Sequence, residues 1–225
     1  MTVALDFGAV LAEWPLLLKG LVMTAALTAA STCAGVTLGV ACAWGRVHGG
    51  TAVKAAAAAY VELIRNTPFI VQLFFIYFGL PGLGIKLAPE AASFLAMVIN
   101  LGAYAAEIVR AGIANTPRGQ IEAAQSLALS PKQVFTRVVL PPALQRVWPA
   151  LTSQIIIVML GSAVCGQIAT QELSYAANLI QSRNFRAFES YIVVTALYLG
   201  FAVLLRQLLA WAGPRWIFGR PAAAR

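Results

Sequence analysis

Long apolar runs alternate with short polar stretches along this chain, and the runs are longer than soluble helices need. Gly20 to Gly45 contains no charged residue, and neither does Val147 to Gln171. A helix requires about 20 residues to cross the hydrocarbon of a bilayer, so each run reads as a crossing. Ser190 to Leu205 is likewise uncharged and continues through Arg206 to Trp211. Two further runs are apolar but interrupted by polar residues. The pattern predicts an all-α polytopic membrane protein, one transmembrane domain over 1–225, with five spans at 20–45, 55–80, 91–112, 147–171 and 190–211. Residues 1–19 read as a polar lead ending in Trp14 and Lys19, residue types suited to a membrane interface.

Polar residues inside the spans are the first candidates for function, because intramembrane charge is costly. Span two carries Glu62 and Arg65 on one helical face, followed by Asn66-Thr67-Pro68, which reads as a cap and first-turn proline of a restarted helix. Counting at ~1.5 Å per residue from Ala55 puts Thr67 about 18 Å deep, near the middle of the bilayer. The freed N–H groups of such a break can hold a carboxylate, with Gln72 one turn on as a neutral contact. Span three places Asn100, Tyr104 and Glu107 on one stripe, Glu107 being the candidate for an ammonium group, with Arg110 one turn later. Asn66, Thr67, Gln72, Asn100, Tyr104 and Glu107 are thus the candidate substrate pathway. The competing reading is that Pro68 only kinks the helix and that the Glu–Arg pairs only neutralise charge near the inner surface. In span one, Gly35 and Gly39 make a GxxxG step that permits close approach of an unspecified helix.

The stretch 117–141 differs from all of these because it is amphipathic and charged. Pro117 after Thr116 opens a short helix expected to reach about Leu129, with Arg118 and Glu122 paired one turn apart. Ser130, Pro131 and Gln133 then form a second start with capping-box spacing. Leu140-Pro141-Pro142 is expected to stop that second helix and re-aim the chain. Two short helices meeting at a corner, with small Ala123, Ala124 and Ala128, make a knob fit for a partner's cleft. Glu122-Ala123-Ala124, then Ala128, then Val138-Val139-Leu140-Pro141 resembles the EAA loop of permease subunits of bacterial ABC importers. Ala128 stands where that motif has glycine; if the position is left-handed, alanine costs roughly 1 kcal/mol there.

The composition agrees with the span count: 60% of residues are hydrophobic, 11% are charged and the mean hydropathy is +0.79. The first fifteen residues carry Asp6 and Glu13 and lack the basic start of a secretory signal. Cys33, Cys42 and Cys165 all lie in apolar runs and read as small hydrophobes, and His48 reads as a solvated loop residue. The net charge of +8 is spread over several loops, which fits membrane topology better than nucleic acid. Assigning 46–54, 110–146 and the tail to the cytoplasm, with Arg65 and Arg206 at inner ends, leaves only Lys19, Lys86, Arg183 and Arg186 of the 16 basic residues outside. The N-terminus is then periplasmic, the C-terminus cytoplasmic, and the Glu122 loop faces the cytoplasm. The linker 172–189, with Ala176, Ala177, Leu179 and Ile180 among polar residues, reads as a surface helix that meets another protein or lies on the bilayer.

The segment from Glu62 to Pro68 with Gln72, the Glu107 to Arg110 step and the stretch Ala176 to Arg186 extend the resemblance to the polar amino acid branch of these permeases. The resemblance implies a multi-pass subunit of the bacterial inner membrane and a type I importer. Its partners would be a second permease subunit, like or unlike, a cytoplasmic ATPase dimer and a periplasmic amino-acid-binding protein. Glu122, Ala123, Ala124, Ala128, Leu140 and Pro141 would then form the ATPase-coupling surface. No phosphate-cradling G-x-x-x-x-G-K-[ST] loop occurs in the chain, so ATP and Mg belong to the partner subunit, and no cofactor or enzymatic activity is expected here. The alternative from a different class is an autonomous secondary transporter or channel that uses its intramembrane Glu and Arg residues for a coupling ion.

Overall fold

The computed structural model describes residues 5–213 and 215, and within them every regular element is helical. The basic tail residues Arg220 and Arg225 lie outside the described residues. A short α1 (Gly8–Leu11) precedes the 35-residue α2 (Trp14–His48), which a Gly49-Gly50 pair separates from α3 (Thr51–Arg65). Next come α4 (Phe69–Phe74), which continues as a π-helical and then a 3-10 stretch to Leu83, and α5 (Pro89–Ala114). The inner loop holds α6 (Arg118–Ser126). A continuous helical path then runs through α7 (Pro131–Gln133), a π stretch Val134–Val139, α8 (Leu140–Gly161) and a 3-10 stretch to Ile168. The chain ends with α9 (Leu173–Asn184) and α10 (Ala187–Ala212). Four of these paths are long and apolar enough to cross a membrane, and α3 with the α4 path makes a fifth if that pair, bent by 109°, is one broken span.

The core forms where glycine lets backbones meet. A Cβ on Gly39 would stand 2.5 Å from Ala105 Cβ and 2.9 Å from the Ala106 amide, and one on Gly35 would stand 2.9 Å from Leu101 Cβ. The helix that the GxxxG step left unspecified is therefore α5 of the same chain. Gly102 completes the fit from the other side, since a Cβ there would meet Leu38 and the Tyr60 hydroxyl at 2.8 Å. Around this seam α5 buries Ala92, Ala96, Met97, Leu101, Ala105 and Val109. By contrast α10 buries only Glu189, Ser190 and Val194 and stands at the outside of the bundle.

Four sequence expectations are corrected. The supposed polar lead from Trp14 to Lys19 is already helical, with Pro15 in the first turn of α2, a position where its missing N–H removes no helix bond. His48 is not a loop residue but the last residue of α2, its ring 4.1 Å from Trp44. Leu140-Pro141-Pro142 does not stop the second coupling helix, which runs on into α8. The prolines cannot donate backbone hydrogen bonds and their rings crowd the preceding turn. The wider π turn immediately before them gives the rings room without breaking the helix. Finally, α9 does not lie on the bilayer by its apolar face: Leu173, Ala176, Ala177 and Ile180 are buried against Val10, Leu17 and Val194.

At the seam, Gly39→Leu forces a branched side chain into the Ala105 and Ala106 backbone and is expected to destabilise the bundle by about 1–3 kcal/mol. Thermal unfolding of the purified protein checks this against Val22→Leu, a change at a position 60% exposed. Equal melting temperatures for the two variants would refute the close-packed seam.

Candidate functional site

The knob is built from a helix stop. Helix α6 ends at the cap residue Leu127, after which Ala128 takes φ 54°, a left-handed backbone. The Leu129 amide donates to the Ala124 carbonyl at 3.3 Å and the Ala128 amide to that of Gln125 at 2.9 Å, the paired bonds of a Schellman stop. Position 128 thus has a conformation that glycine adopts freely, and alanine holds it at the cost of Cβ crowding. Two residues on, the capping box forms as its spacing requires: Gln133 N donates to Ser130 Oγ at 3.4 Å, and Ser130 N donates to Gln133 Oε1 at 2.8 Å. The expected pairing of Arg118 with Glu122 does not form, and the Glu122 carboxylate is exposed without a partner among the described residues.

The inner side of the knob is anchored. Ala124, Val134, Phe135 and Val139 are buried together, with Ile113, Ile121, Leu129 and Trp44 packed around them. The Phe135 ring sits 4.9 Å from Trp44 and 5.6 Å from His48, so the knob rests on the end of α2. Arg146 of α8 donates to the Asn115 carbonyl at 2.9 Å, closing the knob against the end of α5. The outer side carries Glu122, Ala123 and Ala128 with Leu127, whose side chain is 76% exposed. Leu140 is partly buried and Pro141 exposed at the start of α8. Leu127 is a surface residue that the motif did not single out; its position immediately before the left-handed residue is the signal that would have found it.

The pathway candidates divide into two groups. Asn66 Nδ2 donates to the Glu62 carbonyl and Thr67 Oγ1 to that of Leu63, at 2.8 and 2.9 Å, so both side chains close the end of α3 rather than cap the start of α4. Pro68 is the N-cap, with extended backbone. Gln72 crosses the break: its Nε2 donates to the Ile64 carbonyl at 2.7 Å and to Thr67 Oγ1 at 2.9 Å, while its Oε1 accepts from Asn100 Nδ2 at 3.0 Å. Asn100 also lines a cavity of about 100 Å³ with Phe69, Ile157, Val158 and Gly161. The second group lies apart. Tyr104 sits beneath Arg65, whose guanidinium carbon is 5.4 Å from the ring centre, and Glu62 and Arg65 form no ion pair. Glu107 accepts from Arg46 of α2 at 2.8 Å and from Arg110 of its own helix, so both its oxygens are engaged by guanidinium groups.

Two buried acids, Glu172 and Glu189, escaped the sequence reading. Glu172 is wholly buried and caps α9, accepting from the Ser174 and Tyr175 amides at 2.8 Å and from the Tyr198 hydroxyl at 2.6 Å. Its position directly before an apolar helical run was the available N-cap signal, although glutamate is not a favoured cap residue.

Comparison with known proteins agrees with this geometry. Residues 35–218 match the family described as binding-protein-dependent transport system inner membrane component. The glutamine transport system permease protein GlnP of Escherichia coli (strain K12) is 34% identical over 206 residues, covering 91% of this chain and 94% of that protein. The L-cystine transport system permease protein TcyB of Bacillus subtilis (strain 168) is 34% identical over 171 residues, 76% of this chain and 73% of that one. Among solved structures, an amino acid ABC transporter with histidines superimposes with a TM-score of 0.84 at 35% identity, covering 95% of this chain and 100% of that chain. The inward-facing MetNI methionine ABC transporter superimposes at 0.67 with 26% identity, over 90% of this chain and 94% of the other. The chain belongs to the family of binding-protein-dependent transport system inner membrane components, the non-catalytic permease subunits of ABC importers.

Proposed function

We propose that this chain is the membrane-spanning permease of an importer for a polar or charged amino acid. It works with a second permease subunit, two cytoplasmic ATPase subunits that hold ATP and Mg, and a periplasmic binding protein. The glutamine and cystine permeases among its relatives support the substrate class. The observation that carries the coupling role is the knob itself: an exposed Glu122, Ala123 and Leu127 surface whose reverse side is buried against α2 and α5. A load applied there by closing ATPase subunits reaches the bundle because the knob continues through Pro131–Ile168 without a chain break. The charge distribution supports a periplasmic N-terminus and a cytoplasmic C-terminus, with the knob facing the ATPases.

Within the membrane, the break at Asn66, Thr67 and Gln72 with Asn100 is this chain's share of the route. Its polar groups stand beside the cavity between α4, α5 and α8, so a small rotation of α8 changes what they face. Tyr104 and Glu107 lie on the same helix nearer the knob, where Glu107 joins the inner ends of α2 and α5.

Reconstitution with the ATPase subunits and a glutamine-loaded binding protein tests the reading as a whole: ATP hydrolysis and uptake should both depend on the binding protein. In that system Glu122→Ala leaves insertion intact and lowers uptake by roughly tenfold, the size of one lost charged contact at an interface. Ala128→Gly relieves the left-handed backbone, raises stability by about 1 kcal/mol and keeps uptake at the parental level. Parental uptake in Glu122→Ala would remove the coupling role from this surface, and a severe loss in well-expressed Ala128→Gly would refute the strained left-handed backbone at 128. Thr67→Val and Glu107→Gln, made separately, should each lower uptake at fixed binding-protein concentration. Parental rate and selectivity in both would take these residues out of the pathway.

A further inference from the structure

Among the described residues, three other than glycine have positive φ: Ala128 in the knob, Ala169 before α9, and Phe185 after α9. Phe185 alone carries a large side chain. Its φ of 57° is a conformation that bulky residues rarely adopt, and its ring is 90% exposed, so the crowding is not offset by burial. The corner around it is nevertheless fixed. The Phe185 amide donates to the Gln181 carbonyl at 2.9 Å, and the Arg186 amide donates to Asn184 Oδ1 at 2.9 Å. Arg186 then pairs with both Asp6 and Glu189, at 3.3 and 3.1 Å, tying the corner to the N-terminal segment and to α10. The left-handed turn that ends α9 would suit glycine better, so the exposed aromatic ring at this position is not required by the turn.

The corner lies at the end of the bundle remote from the knob. Helix α9 packs on the first turns of α2, where a Cβ on Gly20 would meet Leu173 Cα at 2.9 Å, whereas the knob packs on Trp44 near the other end of α2. Arg183, two residues before Phe185 in the last turn of α9, is exposed and has no ion pair among the described residues. Phe188, 66% exposed, begins α10 just beyond. An aromatic anchor flanked by a free guanidinium is the composition of an interface hot spot. A bilayer anchor at this depth would favour Trp or Tyr, whose polar tips suit the headgroup layer.

We infer that Phe185, with Arg183 and Phe188, is a docking contact for the soluble binding protein, whose matching surface carries an apolar recess beside acidic side chains. The inference rests on the importer reading above, and it names the contact by which the delivered cargo is received.

Phe185→Gly separates docking from folding, because glycine accepts the left-handed backbone and deletes only the ring. The complete transporter, with both permease subunits and both ATPase subunits, is reconstituted in vesicles and its ATP hydrolysis is titrated with the glutamine-loaded binding protein. Phe185→Gly should raise the binding-protein concentration for half-maximal stimulation at least tenfold. The maximal rate and the rate without binding protein should stay unchanged, and the melting temperature should be equal or higher. Phe185→Tyr should restore the parental half-maximal concentration, and Arg183→Glu should raise it with a steeper salt dependence. An unchanged half-maximal concentration in Phe185→Gly overturns the docking role, as does a loss confined to the maximal rate. A wild-type complex whose hydrolysis ignores the binding protein overturns the importer reading and this inference together.

Discussion

Everything functional in this chain is held in place by the contact between α2 and α5. Two long helices, Trp14–His48 and Pro89–Ala114, approach until the only side chain that fits at positions 35 and 39 is a hydrogen atom. In a bilayer no hydrophobic effect separates protein from lipid tails, so tight van der Waals packing of this kind must supply the association. The same pair then carries both ends of the machine. At one end Arg46 and Arg110 converge on Glu107, and Trp44 with His48 forms the bed of the coupling knob. At the other, Thr24 Oγ1 accepts from the Leu173 amide at 3.2 Å and Lys19 donates to Gln171 at 2.9 Å, which seats α9.

Against this rigid pair, the remaining helices supply the irregularity that transport needs. The α4 path contains a π stretch and meets α3 at a bend of 109°, and the α8 path starts with another π stretch followed by two prolines. Both irregular helices border the small cavity at Asn100. The Gln72 amide compensates for the bend by returning hydrogen bonds to carbonyls that the end of α3 leaves open. Buried polar groups that satisfy one another in this way fix a single geometry while remaining able to exchange partners with a polar ligand.

Much of this was legible in the residues, because local rules dominated where it was. The capping box at Ser130 and Gln133 and a helix break at Pro68 depend on a few consecutive residues, and both formed, although Pro68 is the N-cap and not a first-turn residue. The failures arose where distant packing decided. His48 is exposed as read, but it looked like a loop residue because nothing local shows that α2 runs on to it with Phe135 against its ring. The second partner of Glu107 was not visible because Arg46 is 61 residues away in the chain. The prolines at 141 and 142 looked like a stop because the rule for a regular α-helix does not include a π turn that accommodates them. Helix α9 looked like a surface helix, for another protein or for the bilayer, because its partners within the chain, Val10, Leu17 and Val194, come from both ends of the sequence.

In the proposed coupling, the continuous helical path Pro131–Ile168 carries displacement of the knob to the pathway as one unit, despite its π turn and Pro149. Spin labels at Lys132 and Leu160, with Cys33, Cys42 and Cys165 replaced by serine or alanine, report its length by electron paramagnetic resonance in the reconstituted transporter. A third label at Val22 on α2 reports the path's position against the fixed pair. Trapping the ATP-bound state should leave the Lys132–Leu160 distance unchanged and shift the Leu160–Val22 distance. A changed Lys132–Leu160 distance with an unchanged Leu160–Val22 distance would mean that the helix bends at its base and the knob does not drive the pathway.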